Sequence, residues 1–195
     1  MGHNKGKFQG DSKRMKQLFL SFAPPEKWRD PKQTKKLDDE EWQKLRKKIL
    51  EKDNFTCAYC GYKSDKYQIV HHIDGNPKNN VNENFLTICQ MCNLIEHSGQ
   101  GVVLRKVVDL YKKSKYSQND IIKITRHMRD AGKNDKEIIA FLSLNEKAKF
   151  KMDKEHLKKL FGFITSRRAI TLEEKGDMYN NWLDYHKKIK TSCLK

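Results

Sequence analysis

The residues best able to do chemistry lie near the middle of the 195-residue chain. Val70-His71-His72-Ile73-Asp74 sets two imidazoles side by side, with Asn84 and Asn93 further on. A neutral imidazole is well matched to take a proton near pH 7, and it is also a common metal ligand. Adjacent residues on an extended strand point to opposite sides. His71 and His72 therefore suit two jobs, one holding a metal and one meeting water. Two C-x-x-C knuckles frame the pair, Cys57-Ala-Tyr-Cys60 and Cys89-Gln-Met-Cys92. Four thiolates so arranged suit a closed tetrahedral zinc site, which contributes folding free energy rather than chemistry. A thioredoxin-like redox pair would need one knuckle and a βαβ context instead. The knuckles are separated by residues 61–88, more than the roughly 15–20 of an ordinary zinc ribbon, so something is inserted between them.

Taken together, Trp42, the Cys57 knuckle, His71-His72-Ile73-Asp74-Gly75-Asn76, Asn84, Cys89-x-x-Cys92 and Asn93 resemble an HNH endonuclease of the ββα-metal superfamily. The resemblance covers about residues 40–100. It implies a metal-dependent hydrolysis of phosphodiester bonds that leaves 5′-phosphate and 3′-hydroxyl ends. It assigns His71 to the catalytic metal, His72 to proton abstraction from water, Asn93 to the second metal position and Asn84 to tying the loop in place. Many members have Asp where His71 stands; the His-His form resembles secreted bacterial toxin nucleases. The implied cation is Mg²⁺ or Mn²⁺, with Ni²⁺ or Zn²⁺ also open because imidazole favours the later metals over Mg²⁺. His97, four residues after Asn93, could ligate metal, contact the scissile phosphate, or simply favour a helix C-terminus through the dipole. Asp74 reads as the start of the Gly75-Asn76 turn.

These side chains need elements to position them. Asp38 looks like an N-cap, acidic residues follow, and Trp42, Leu45 and Ile49 recur at helical spacing, which predicts an amphipathic helix over 39–51. Tyr67 to Ile73 has strand character, and about Cys89 to His97 reads as a short helix ended by Ser98-Gly99. Beyond Gly101 the periodicity reads as helical throughout: 102–113, 118–131, a helix capped by Asn134, and one capped by Asp153 and running to Ile164. Thr171 with Glu174 matches a capping box before a Met178, Trp182, Tyr185, Ile189 stripe. The fold expected is α+β: a basic, flexible arm over 1–37, a zinc-stapled ββα-metal nuclease core over 38–101, and a mostly α-helical, basic region over 102–195.

Composition narrows the partners. The formal charge is +16, with 41 Lys+Arg against 25 Asp+Glu. It divides as +7 over residues 1–50, −2 over 51–100 and +11 over 101–195. A near-neutral core flanked by basic segments points to a polyanion, expected to be double-stranded DNA. Residues 131–142 resemble the first helix of a helix-turn-helix, and Asp153–Ile164 would be its reading helix. Lys158, Lys159, Arg167 and Arg168 are then the expected DNA contacts. The stripe near the C-terminus would pack within the chain or in a homodimer, and Cys193 reads as an idle thiol. No apolar run is long enough for a membrane span or a secretory leader, so an intracellular protein is expected. The competing expectation is a zinc-stapled DNA-binding protein without catalysis, which would need none of His71, His72, Asn84 or Asn93.

Overall fold

A computed structural model describes residues 7–8, 15–23 and 40–168. The Asp38 cap, the stripe from Met178 to Ile189 and Cys193 lie outside these residues. The chain divides into two compact units: Met1–Leu18 with Lys27–Asn93, and Phe19–Glu26 with Leu94–Lys195.

In the first unit, β1 (Lys7–Phe8) pairs antiparallel with β2 (Tyr62–Lys63). The main element is α1 (Glu40–Lys52), whose first turn carries Glu40 and Glu41 at the positive end of the dipole. Ile49 and Leu50 on α1 pack with Val70 and Phe85, and Trp42, Leu45 and Phe55 cover the edge of that cluster. The cluster sits on a hairpin of β3 (Gln68–His72) and β4 (Phe85–Cys89), antiparallel with His72 opposite Phe85 and Gln68 opposite Cys89. Alternation along β3 buries Gln68, Val70 and His72 on one face and leaves Ile69 and His71 half-buried on the other. Immediately after β4 the chain turns into α2 (Gln90–Glu96).

The second unit is mixed. A three-stranded sheet in the order β6-β5-β7 is built from β5 (Val108–Lys113), β6 (Asn145–Lys147) and β7 (Phe161–Ile164). Both neighbours run antiparallel to β5, with Val108 opposite Ile164 and Lys113 opposite Asn145. Among the described residues three α-helices accompany it: α3 (Gln118–Asp130), α4 (Asp135–Phe141) and the short α5 (Lys154–Lys158). Their starts follow from local capping. Ser117 accepts from the Asp120 N–H, Asn134 and Glu137 form a reciprocal capping box, and Asp153 accepts from the N–H groups of Glu155 and His156. Tyr111, Ile121, Ile138, Leu142, Leu144 and Phe163 form the core.

Three expectations fail in this unit. Residues 102–113 are not a helix: Gln100–Leu104 makes one wide helical turn, and Val108–Lys113 is the central strand. Val103, Val107 and Leu110 fit a helical period, but Val108, Leu110 and the β-branched and aromatic content fit a strand equally well, and pairing settles it. The helix expected to reach Ile164 stops at Lys158, because Phe161-Gly162-Phe163-Ile164 is taken into the sheet. A Cβ on Gly162 would meet Ile95 Cδ1 at 2.7 Å, so this strand position admits only glycine without a shift. With Phe161–Ile164 in a strand, the second helix of a helix-turn-helix is not formed. The basic arm also contains an ordered stretch. Leu18 and Leu20 are buried, Lys16 N–H donates to Ala58 O in the first unit, and Ser21 exchanges backbone bonds with Ile95 and Ser98 in the second.

Candidate functional site

Cys57, Cys60, Cys89 and Cys92 are all buried, and their four sulfurs lie within 4.8 Å of one another. The first knuckle closes through Cys57 N–H to Tyr62 O and Gly61 N–H to Cys57 O, with Gly61 at φ +70°. The second pair comes from the last residue of β4 and the first turn of α2, and Ala58 N–H to Thr87 O ties the first knuckle to β4. Cys60 Sγ and Cys89 Sγ are 3.6 Å apart. A tetrahedral zinc with Zn–S near 2.3 Å needs sulfurs about 3.8 Å apart, so this donor set could hold a zinc ion. The crowded thiols also polarise one another. A hydrogen bond from Cys60 draws the Cys57 thiol below its ordinary pKa, while hydrogen bonding with Cys57 pushes Cys60 and Cys92 up. A bound dication would stabilise all four thiolates instead.

His72 is 7% exposed. Its ring stacks on Trp42 at 5.7 Å with 12° between planes, and meets Phe85 edge-on at 5.0 Å. Its Nε2 lies 3.0 Å from Asn80 Oδ1. An amide oxygen can only accept, so Nε2 donates, and in the neutral ring the lone pair is on Nδ1. Asn80 is not singled out by the sequence; nothing in its local pattern separates a turn amide from one that holds an imidazole eight residues away. The helical spacing of Trp42 with Leu45 and Ile49 marks the amphipathic face of α1, but does not show Trp42 as the platform for His72.

Asn84 is buried and clamps the loop after His72. Its Oδ1 accepts from the Asp74 N–H at 3.0 Å, and its Nδ2 donates to Asp74 Oδ1 and to Asn79 O, each at 2.9 Å. Asp74 also accepts from Asn79 Nδ2 and the Asn76 N–H. Bonds from Asn79, Asn76 and Asn84 hold its carboxyl down at about 2, and its carboxylate serves the turn. His71 stands opposite Leu86 on the other face of β3 from His72. Asn93 is half-buried on α2, and His97 falls just past the end of that helix, in the second unit. Burial pushes His97 down to about 4, so it is neutral near pH 7 and brings no positive charge to a phosphate.

The four expected DNA contacts are differently placed. Arg167 is ion-paired with Asp109 and also donates to Thr165 Oγ1, and Lys158 pairs with Glu155 at 2.7 Å. Lys159 and Arg168 are exposed.

These features define a mixed α+β protein carrying a four-cysteine group that could bind zinc. No family model matches the chain. Over 66 residues it is 33% identical to the Type 4 apparatus protein DotN of Legionella pneumophila subsp. pneumophila (strain Philadelphia 1). The match takes in 32% of this chain and 31% of that protein, so the chain spans about a third of the relative's length.

Proposed function

We propose that the protein is a metal-dependent endonuclease of the HNH type, hydrolysing phosphodiester bonds of double-stranded DNA. The observation that carries this reading is the Asn80–His72 hydrogen bond, which leaves the imidazole lone pair on Nδ1 beside a loop locked by Asn84. A base must hold one tautomer to take a proton in a fixed direction, and a stacked, anchored ring does so. His72 accepts the proton of the attacking water at Nδ1. Trp42 and Phe85 keep the ring in plane, and Asn84 holds the chain that follows it. His71 and Asn93 would hold the catalytic cation, which supplies charge stabilisation at the phosphate and the departing oxygen. The four cysteines would hold a separate zinc that staples β4 and α2 to the first knuckle.

A plasmid nicking assay across Mg²⁺, Mn²⁺, Ni²⁺ and Zn²⁺ tests the reading. Wild type is expected to cut, and His72→Ala to lose about 10²- to 10⁴-fold in rate while keeping its zinc. Wild-type inertness with every metal would remove it.

The near-complete burial of His72 favours a second reading: a zinc-stapled binding or assembly module on the same scaffold, where the Trp42–His72–Phe85 stack is core packing. The partial likeness to a type 4 apparatus protein supports it. On that reading His72→Ala destabilises the hairpin, and wild type cuts nothing.

A further inference from the structure

The ion pairs of the second unit show where its positive charge is left uncompensated. Asp109 takes Arg167 and Lys147, Asp135 takes Arg129, Glu137 takes Lys133, Glu146 takes Lys112 and Lys113, and Glu155 takes Lys158. Lys149, Lys151, Lys154 and Lys159 are exposed and have no carboxylate partner among the described residues, and the same holds for Lys106, Lys115 and Lys136. Four of these seven fall within residues 149–159, between β6 and β7. The two acids in that stretch do not cancel them: Asp153 turns its carboxylate onto the N–H groups of Glu155 and His156, and Glu155 is paired with Lys158.

The segment is also held in place. Phe150, between Lys149 and Lys151, is half-buried and meets Phe22 edge-on at 6.4 Å, while Leu157 is fully buried. The lysines therefore stand on an anchored stretch of chain. Residues 148–160 contain no Asn, Gln, Ser or Arg that could read base edges. Of their two aromatic rings, Phe150 meets Phe22 and His156 is half-buried on α5. Ammonium groups concentrated on an anchored segment suit the phosphates of a duplex, which present one charge per ~1.7 Å of axis.

We infer that Lys149, Lys151 and Lys154 form the main phosphate-contact surface of the second unit for double-stranded DNA, in place of Arg167, which is tied to Asp109. The choice of duplex DNA as the polyanion rests on the nuclease reading; the placement of the surface rests on the concentration of unpaired lysines between β6 and β7.

The test is binding of a short fluorescent duplex to the full zinc-loaded chain, followed by anisotropy between about 50 and 200 mM salt without added divalent metal. In the triple variant Lys149→Ala/Lys151→Ala/Lys154→Ala, the slope of log K against log salt is expected to fall by about two to three, near 0.9 per lost phosphate contact. Two unrelated duplexes should weaken alike. Lys112→Ala/Lys113→Ala, which removes lysines already paired with Glu146, is the control and should keep the wild-type slope. Each single lysine variant should lower the slope by about 0.9, which preserves the test if the triple variant folds poorly. An unchanged slope in the single or triple variants overturns the inference, as does wild-type chain that prefers polyglutamate or single-stranded DNA to the duplex. Cleavage is not read here: a wild type that binds with the expected slope but never nicks retains this surface and loses the nuclease.

Discussion

With its Nε2–H given to Asn80, the neutral His72 ring keeps its lone pair on Nδ1, and its plane is set by Trp42 and Phe85. Asn80→Ala frees the ring to exchange tautomers without touching the thiols. On the nuclease reading, nicking should fall by about 10- to 100-fold, the usual cost of losing a residue that orients a histidine, with bound zinc unchanged. Rate and zinc content measured on one preparation check this. His97 offers a prediction independent of catalysis. Burial lowers its pKa from the ordinary 6.5 to about 4, so the folded chain resists a proton that the unfolded chain accepts. Its stabilising contribution is fully present above pH 6.5 and is lost as pH falls through about 4. The urea midpoint of wild type should therefore drop between pH 7 and pH 5, and His97→Phe should flatten that drop.

The β3–β4–α2 hairpin and the β7 strand each depend on one device. For the hairpin it is the four-cysteine group, since β4 and α2 between them supply two thiols and residues 57–60 the other two. Cys57→Ser is expected to lower zinc content and to cost several kcal/mol, structural zinc supplying on the order of 10 kcal/mol in small domains. Thermal unfolding with and without a chelator measures it, and a chelator should have no further effect on the variant. For β7 the device is Gln118, 5% exposed, whose Nε2 donates to Gly162 O at 2.9 Å while its Oε1 accepts from the Gly162 N–H at 2.8 Å. This side chain occupies both backbone groups of Gly162, and Arg129 donates to Ile164 O on the same strand. Unpaired strand groups invite pairing with another chain, so the arrangement also protects the sheet. Gln118→Ala should cost about 1–3 kcal/mol, the penalty for leaving buried polar groups unmatched, read from the denaturant midpoint.

At the scale of the whole molecule, no helix among the described residues is long and apolar enough to cross a membrane. A formal charge of +16 would make any binding to a polyanion strongly salt-dependent. What the linear sequence determined is what depends on near neighbours. The caps at Ser117, Asn134 and Asp153 lie within three residues of the N–H groups they satisfy, the amphipathic spacing of α1 is legible from Trp42, Leu45 and Ile49, and the two C-x-x-C knuckles place thiols in pairs. Tertiary structure decided what depends on distant partners. Val108–Lys113 carries a pattern that fits either period, and it is a strand because Ile164 and Asn145 lie alongside it. Asn80 and Trp42 meet His72 only once the hairpin and α1 are packed, and Arg167 is claimed by a carboxylate 58 positions earlier. Local hydrogen bonds and periodicity are written in a window of a few residues, whereas strand pairing, ring stacking and charge neutralisation arise only when the chain closes on itself.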